Sequence, residues 1–295
     1  MISFLSSCFI GLTSILSSKR NFWTFRIIFF QSLFECIDLG LALIYNLQIM
    51  QKETLNSQCN LIGYIMHSSW ISSFCCCFLM IYQMKLLLKV EKFYETLSKN
   101  ILKAIFLIAI FSYLWLLTPF ILDGFVPTGW NSFEKKCKQY FFCGFGKDWK
   151  LYLVFWSLPQ IIIFLNGVRI GINNKKLASI HLSTFQDEEF QMIKDLQKFP
   201  IIYAGAWSIN QVIRYIDLNE TIVEWIVFNH WSFGFYVLIN LIFELHLLIV
   251  LYYFIKNYNQ VLNIKQIWLS LLCCQKKVEI KDKESLLYQD VNGTS

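Results

Sequence analysis

The sequence contains few charged residues, few prolines and few glycines for its 295 positions. Charged residues make up 16% of the chain, against roughly 25% in a typical soluble domain, and there are only 4 prolines and 12 glycines. Together with 56% hydrophobic residues and a mean hydropathy of +0.48, this excludes a disordered chain and a nucleic-acid-binding protein. The shortage of turn-forming residues favours long helices. The composition therefore predicts an all-α membrane protein.

The sequence also lacks the patterns that metal sites and active sites require. Its ten cysteines show no paired metal-ligand spacing, and Cys75, Cys76 and Cys77 are consecutive, so their side chains diverge around a helix. His230 and His246 are too far apart along one helix to share an ion. The chain has no Gly-x-Ser-x-Gly turn and no glycine-rich phosphate loop. We therefore expect no enzyme activity, no cofactor and no metal site.

Seven apolar stretches are each about long enough to cross ~30 Å of hydrocarbon as a helix. The first is short and is followed rather than preceded by basic residues, so we interpret it as a retained helix and not as a signal peptide. Pro159 and Pro200 predict kinks in the fifth and sixth stretches. The fold prediction is a seven-transmembrane helix bundle, with spans at Ile2 to Ser17, Phe22 to Met50, Asn60 to Gln83, Ala104 to Leu122, Leu151 to Val168, Phe199 to about Ile216 and Trp225 to Ile255.

The distribution of lysine and arginine predicts which side of the membrane each loop faces. If the amino terminus is outside, nineteen of the 26 Lys and Arg residues lie in the inner segments and seven in the outer ones. Cytoplasmic loops of membrane proteins carry the excess of basic residues. We therefore expect a multi-pass plasma-membrane protein with an outside amino terminus and a cytoplasmic carboxyl terminus.

Three further sequence features agree with this topology. Asn219 begins a glycosylation sequon in the short outer loop between spans six and seven. Cys59, at the outer start of span three, can reach Cys137 or Cys143 in the next outer loop, where oxidised pairs belong. Cys273 and Cys274 lie on the inner side, where palmitoylation occurs. The glycosylation sequon and the oxidisable cysteine pair are thus predicted outside, and the two palmitoylation candidates are predicted inside, as each modification requires.

A cytoplasmic amphipathic eighth helix is predicted over about 259–272, directly after the last span. Polar residues occupy one face, and the opposite face carries apolar residues at helical spacing, namely Val261, Ile264, Trp268, Leu271 and Leu272. Such a helix lies on the membrane surface. The prediction therefore divides the chain into a seven-helix domain, 1–256, and a cytoplasmic tail with a flexible end, 257–295.

Acidic and polar residues inside the apolar stretches are candidates for a functional role. Glu35 and Asp38 are neighbours on one face of span two, and Asn240 and Glu244 share a face of span seven. An intramembrane acid is costly, so it faces the bundle interior or a water-filled cavity. These four residues could form a polar network with two arrangements, as a switch requires. The alternative is a structural hydrogen-bond cluster that joins helices.

A ligand pocket is predicted in the outer half of the bundle, where histidines and aromatic residues accumulate. For any single one of these residues, packing or anchoring at the membrane interface is the alternative to ligand contact. The pocket candidates are His67, Trp70, Trp207, Arg214 and His230.

A series of short motifs runs in order from Arg20 to Arg214: Arg20-Asn21-Phe22, Ser32-x-x-Glu35, Cys59-x-x-x-Gly63, Ser69-Trp70, Trp115, Pro119, Gly129-Trp130, Leu158-Pro159, Phe199-Pro200, Trp207 and Ile209-Asn210. In this order they resemble the slime-mould cyclic-AMP-receptor-like family of G-protein-coupled receptors. The chain departs from the family at Glu35, which is usually Asp, at Ile62, which is usually Gln, and through much of span seven.

The resemblance implies an extracellular ligand and coupling to a heterotrimeric G protein through the inner loops. It does not imply cyclic AMP, because the departures fall in the outer loop and in the seventh span, where ligand choice would lie. In the family a cysteine follows the Gly-Trp pair, and here that position is Asn131. The partner of Cys59 has therefore moved, and we place it at Cys137 rather than Cys143 because Cys137 is nearer to the motif.

The basic residues of the inner segments are predicted to contact the G protein, although any one of them could belong to a solvated face. They are Lys85, Lys89 and Lys92 after span three and Lys194 before span six. The alternative function is a small multi-span transporter or ion channel, which would use Glu35, Asp38 and Glu244 as an ion path. Against that alternative, the sequence has no internal repeat.

Overall fold

The computed structural model describes residues 2–16, 23–50, 56–89, 94–131, 138–145, 149–180 and 245–262, with a few single residues between 205 and 268. These residues form helices with one small hairpin at one side, which we call the hairpin side. The elements are α1 (Ile2–Leu16), α2 (Trp23–Met50), α3 (Asn56–Lys89), α4 (Tyr94–Trp115), α5 (Leu117–Ile121), β1 (Phe125–Asn131), β2 (Lys138–Phe145), α6 (Trp149–Leu151), a π-helix (Tyr152–Ser157), α7 (Leu158–Ile180) and α8 (His246–Leu262).

Four helical segments are long and apolar enough to cross a membrane, and they confirm the second to fifth predicted spans. They are Thr24–Tyr45, Gln58–Gln83, Asn100–Ile121 and Tyr152–Asn173. The first predicted span is an apolar helix of 15 residues, which covers only ~22 Å at 1.5 Å per residue. The sixth span and most of the seventh lie outside the described residues, apart from α8 and a few single positions.

The packing of α1 is typical of a helix in lipid. Its buried residues are mostly small and polar, whereas its large apolar side chains are exposed. Small hydroxyl residues let membrane helices approach closely, and their hydroxyls bond to the backbone one turn earlier. Thr13, for example, donates to the Phe9 carbonyl at 2.7 Å, and Ser14 donates to the Ile10 carbonyl at 2.8 Å. In water, this arrangement would expose the apolar side chains of α1 to solvent and bury its polar ones, which is the opposite of the pattern in soluble proteins.

One face of α7 and its preceding π-helix also carries an exposed apolar stripe. The exposed residues recur every three or four positions, as one helix face requires, and they are Val154, Leu158, Ile162, Leu165, Val168 and Ile172. α4 presents a similar face that includes Phe106, Phe111 and Leu114. Because these faces are apolar over the length of a span, lipid is the solvent that matches them.

The central element is α3, which packs against α2, α4 and α7. Of its most apolar window 72% is buried, against 22% for the windows in α4 and α7. Its close approach to α7 depends on Gly167, because a Cβ at that position would lie 1.6 Å from Cε1 of Phe78. The ring of Phe78 therefore occupies the space that a larger residue on α7 would fill.

The loop after the fourth span contains an antiparallel hairpin, so the all-α prediction is wrong for this loop. β1 pairs with β2 from Phe125 opposite Phe145 to Asn131 opposite Lys138, with an irregularity between Thr128 and Gly129. Both strands contain aromatic residues, and β1 also contains the β-branched Val126 and Thr128; such residues fit a pleated surface. The hairpin packs on the first turns of α3 and on the end of α2.

The end of the predicted seventh span is the helix α8, which packs against α1. α8 continues without a break through the predicted domain boundary at 256, overlaps the start of the predicted amphipathic helix and ends at Leu262. Within the predicted surface helix, the next described residue is Trp268, which stacks on Phe9 with ring centroids 4.8 Å apart. Its indole Nε1 donates to the Thr13 hydroxyl at 3.1 Å. The division into a domain at 1–256 and a tail at 257–295 stays a prediction.

Candidate functional site

A disulfide joins the hairpin to α3, and its partner cysteine differs from the predicted one. Cys59 is bonded to Cys143, with 5.3 Å between the Cα atoms, and not to Cys137. Cys143 lies opposite Pro127, near the base of the hairpin and beside α3. Cys137 directly precedes β2 in the sequence and lies outside the described residues. Closeness along the chain to Gly129-Trp130 was the wrong criterion, because strand pairing decides which cysteine reaches α3.

The base of the hairpin is also fixed by Asn60, one residue after the disulfide. Its Nδ2 donates to the Phe120 carbonyl and to Asp123 Oδ1, both at 2.9 Å. Its Oδ1 accepts a hydrogen bond from the Phe125 backbone N–H at 3.3 Å. Asp123 has a positive φ of 50°, a conformation that costs most residues energy but that Asp tolerates. A single side chain on α3 therefore holds the end of α5, the turn and the first residue of β1.

Replacing Asn60 with alanine is expected to lower the free energy of unfolding by about 1–2 kcal/mol, because the buried Phe125 N–H loses its partner. The loosened hairpin base should also expose the disulfide, so added thiol should reduce Cys59–Cys143 faster. Thermal unfolding in detergent and timed thiol labelling measure the two effects. Asn166→Ala is the matched control, since Asn166 is exposed and donates only to Ile162 of its own helix at 2.9 Å. Equal behaviour of the two variants would contradict this role of Asn60.

Under the hairpin, His67 is enclosed by aromatic rings. Its ring lies 5.4 Å from Phe125 in a stacked arrangement, 5.2 Å from Phe145 and 4.5 Å from Trp156, edge to face. His67 is 8% exposed. The rings come from three separate elements, so the cluster joins the hairpin, α3 and the π-helix.

Trp70, one turn further along α3, continues this aromatic cluster towards α7. Its ring is 6.4 Å from that of Trp156, and its Nε1 faces Oε1 of the buried Gln160 at 3.5 Å. The structure therefore brings together two of the predicted pocket residues, His67 and Trp70. The other three candidates, Trp207, Arg214 and His230, lie outside the described residues.

Deeper in the bundle, a polar seam joins α2 to α3. Ser73 Oγ donates to Oε1 of Glu35, and Gln31 Nε2 donates to Cys77 Sγ at 3.0 Å. All four side chains are buried, and Glu35 is only 1% exposed. Gln31 and Glu35 are one turn apart on α2, as Ser73 and Cys77 are on α3, so the two contacts form successive rungs between antiparallel helices. The seam fixes how α2 is aligned against α3.

The structure describes only some of the remaining candidates for the polar switch and for contact with a G protein. Asp38 is half-buried on α2, close to Glu35 along the helix, and Lys85 is half-buried near the end of α3 away from the hairpin. Lys89 is the last residue of α3. The candidates outside the described residues are Asn240 and Glu244, Lys92 and Lys194, the sequon residue Asn219, and the cysteines Cys273 and Cys274.

Across α4 and α7, a tryptophan compensates for the break that Pro159 causes. Proline has no N–H, so the carbonyl four residues earlier, that of Phe155, loses its α-helical donor. Trp115 Nε1 of α4 donates to this Phe155 carbonyl at 3.1 Å. The break takes the form of a π-helix that begins at Tyr152 and ends at Ser157, a distortion that often accompanies functional sites. The predicted kink at Pro159 thus coincides with a π-helical segment.

Sequence reasoning missed Asn60, Gln31, Trp156 and Gln160. Asn60 was counted only as the start of a span, although its position beside Cys59 was a signal that it lies at the outer loop. Gln31 and Gln160 are polar residues within apolar stretches, and the same argument that selected Glu35 would have selected them. Trp156 gave no signal distinct from that of the other tryptophans.

Among the residues that the structure describes, no group of three or more His, Cys, Asp and Glu side chains could hold a metal ion. The sequence matches no protein-family model, and no curated protein matches it.

Proposed function

We propose that the protein is a seven-helix G-protein-coupled receptor of the plasma membrane, with its amino terminus outside and its carboxyl terminus in the cytoplasm. The observation that carries the proposal is the hairpin tied to the central helix by Cys59–Cys143. A disulfide belongs on the oxidising side of the membrane, which supports assigning the hairpin side to the exterior. A ligand that binds on the hairpin side would act on α3 through the Cys59–Cys143 disulfide and through the hydrogen bonds of Asn60.

The polar seam supports the proposal because a receptor needs an element with two arrangements. Helices α2 and α3 are joined at the seam by two polar side-chain contacts. A small shift of α3 against α2 would break the Ser73–Glu35 and Gln31–Cys77 contacts together. The bonded and unbonded forms of the seam would be its two arrangements.

The two ends of α3 divide the proposed receptor into a ligand side and a G-protein side. His67 and Trp70 lie beneath the hairpin, and we assign them to the ligand side together with the predicted residues Trp207, Arg214 and His230. Lys85 and Lys89 are at the opposite end of the same helix, and with Lys92 and Lys194 they form the proposed contact with a heterotrimeric G protein. Signal transfer would follow α3 from one end to the other.

Nucleotide exchange tests the proposal without knowledge of the ligand. The purified protein is placed in lipid vesicles with a heterotrimeric G protein, and uptake of a non-hydrolysable GTP analogue is followed. We expect the wild-type protein to accelerate basal uptake above that in protein-free vesicles. Ion flux through vesicles that show no acceleration would overturn the receptor and favour the transporter or channel. The absence of both signals would also overturn it.

Breaking the polar seam is expected to raise basal nucleotide exchange on the G protein. Ser73→Ala removes the donor to Glu35, and Glu35→Ala removes the acceptor, so both free α2 from the alignment that the bond holds. Leaving a buried polar group without its partner costs about 1–3 kcal/mol, and about 1.4 kcal/mol of that range is a tenfold change in a two-state population. We expect each variant to raise basal exchange about tenfold.

The neighbouring Ser72 provides a matched control for this measurement. It is equally buried, but its hydroxyl donates to the Ser68 carbonyl of its own helix at 2.9 Å. Ser72→Ala should therefore leave basal exchange at the wild-type level. The double variant with both Ser73→Ala and Glu35→Ala should exceed neither single variant, because each substitution removes the same bond. Additive effects, or an equal effect of Ser72→Ala, would show that the bond is not the element involved.

A further inference from the structure

A second pair of cysteines faces each other across α1 and α2. Cys8 Sγ and Cys36 Sγ are 3.3 Å apart, and both side chains are half-buried. Neither belongs to the polar seam or to the hairpin disulfide. Each thiol is on a face that is partly open to the surroundings, so a membrane-soluble reagent can approach it.

Glycines on both sides of this pair allow close packing between α1 and α2. A Cβ on Gly11, one turn after Cys8, would lie 3.3 Å from Ser32 Cβ, so the two helices approach closely there. A Cβ on Gly40, one turn after Cys36, would lie 3.3 Å from Cε2 of Phe4, so glycine makes room for that ring. Glycine at a helix crossing permits a closer approach than larger side chains would allow. Disulfides need Cα atoms about 4.4–6.8 Å apart, and close helix approach is the arrangement that provides this.

We propose that Cys8 and Cys36 are an oxidisable pair that forms a second disulfide, linking α1 to α2, when lipid hydroperoxides accumulate in the membrane. The pair lies within apolar helices, so a lipid-borne oxidant is the class that reaches it. The bond would be formed only under oxidation, whereas Cys59–Cys143 is already bonded in the structure.

The reaction balances in two steps. One thiol attacks the hydroperoxide, the O–O bond breaks, and a sulfenic acid and a lipid alcohol result. The second thiol then attacks the sulfenic sulfur, the S–S bond forms, and water leaves with the remaining protons. Two sulfur-bound hydrogens and two electrons pass from the cysteines to the peroxide, so one hydroperoxide is consumed for each disulfide. A thiol reductant restores both cysteines.

Thiol mapping tests the proposal on the full-length protein in lipid nanodiscs. The probe is cumene hydroperoxide, an apolar hydroperoxide, followed by alkylation, proteolysis and mass spectrometry. We expect joint loss of the alkylated forms of Cys8 and Cys36, and a peptide pair linked through these two residues that disappears after reduction. Survival of both alkylated thiols in oxidised protein, or linkage of Cys8 to another cysteine, would overturn the proposal.

Two variants separate the pair from general oxidation of membrane thiols. Cys8→Ser removes one member of the pair, so Cys36 should then be trapped by dimedone as a sulfenic acid instead of forming a link. Cys75→Ser removes a half-buried free thiol of α3 and should leave the Cys8–Cys36 link unchanged. An intact Cys59–Cys143 peptide in each variant reports that the fold is retained. Loss of the Cys8–Cys36 link in Cys75→Ser, or a disulfide between Cys36 and another cysteine in Cys8→Ser, would contradict the assignment.

Discussion

Replacing Cys143 with serine is expected to lower the free energy of unfolding by about 2–4 kcal/mol and, with the plasma-membrane location that we propose, to reduce the amount of protein at the cell surface. The bond joins residues 84 positions apart, and a long loop closed by a disulfide gains most from the cross-link in the chain-entropy account. The hairpin would then be held to α3 by Asn60 and the aromatic contacts of His67. Thermal unfolding and surface labelling measure the two effects.

Cys137→Ser is the control that separates the observed pairing from the one predicted from sequence. It should unfold at the wild-type temperature, because Cys137 is not bonded to Cys59. Cys59→Ser should match Cys143→Ser, and the double variant should be no less stable than either single one, since all three remove the same bond. A loss of stability in Cys137→Ser as large as that in Cys143→Ser would contradict the structure.

Replacing Gly167 with alanine is expected to separate α3 from α7 at their crossing and to lower the free energy of unfolding by about 2–3 kcal/mol. The added methyl would lie 1.6 Å from Cε1 and 2.1 Å from Cδ1 of Phe78, so the ring must leave its place. Moving the ring also sacrifices its edge-to-face contact with Phe74, where the centroids are 4.9 Å apart. Thermal unfolding of the purified protein in detergent measures the loss.

Gly171 offers a control one turn along the same helix. A Cβ at Gly171 would meet nothing within 4 Å, so Gly171→Ala should be neutral or slightly stabilising, by up to about 1 kcal/mol from the better helix propensity of alanine. Truncating the ring with Phe78→Ala should make room for the methyl, so that Gly167→Ala costs little in that background. A similar loss in Gly171→Ala, or no rescue by Phe78→Ala, would show that the Phe78 contact does not limit the approach of the helices.

The second to fifth spans were predictable because a helix in lipid needs only a sufficiently long run of apolar residues. A stretch of apolar residues of sufficient length is recognisable without knowledge of its neighbours, and the second to fifth spans were located in this way. The burial of Glu35 followed from the cost of charge in hydrocarbon. The partner of Glu35 could not be predicted in the same way. Ser73 is one of several serines on α3, and only the alignment of α2 against α3 selects it.

The features that sequence reasoning missed depend on contacts between distant parts of the chain. The choice of Cys143 over Cys137 follows from the register of two strands, and the hairpin itself lies in a chain whose composition favours helices. Asn60 is important because the end of α5 and the start of β1 both approach it, 60 or more residues later. Trp115 and Pro159 were each noted as separate motifs, yet the bond between Trp115 and the Phe155 carbonyl follows from the placement of α4 beside α7.

That bond makes the π-helical distortion before α7 a shared property of two helices. A proline break usually leaves an unsatisfied carbonyl to which water or a local hydroxyl can donate a hydrogen bond, and the helix can then flex on its own. Here the indole of Trp115 supplies the missing donor from α4, so a change in the shape of the π-helical segment requires α4 to move with it. A displacement that begins in either of these two helices is therefore passed to the other.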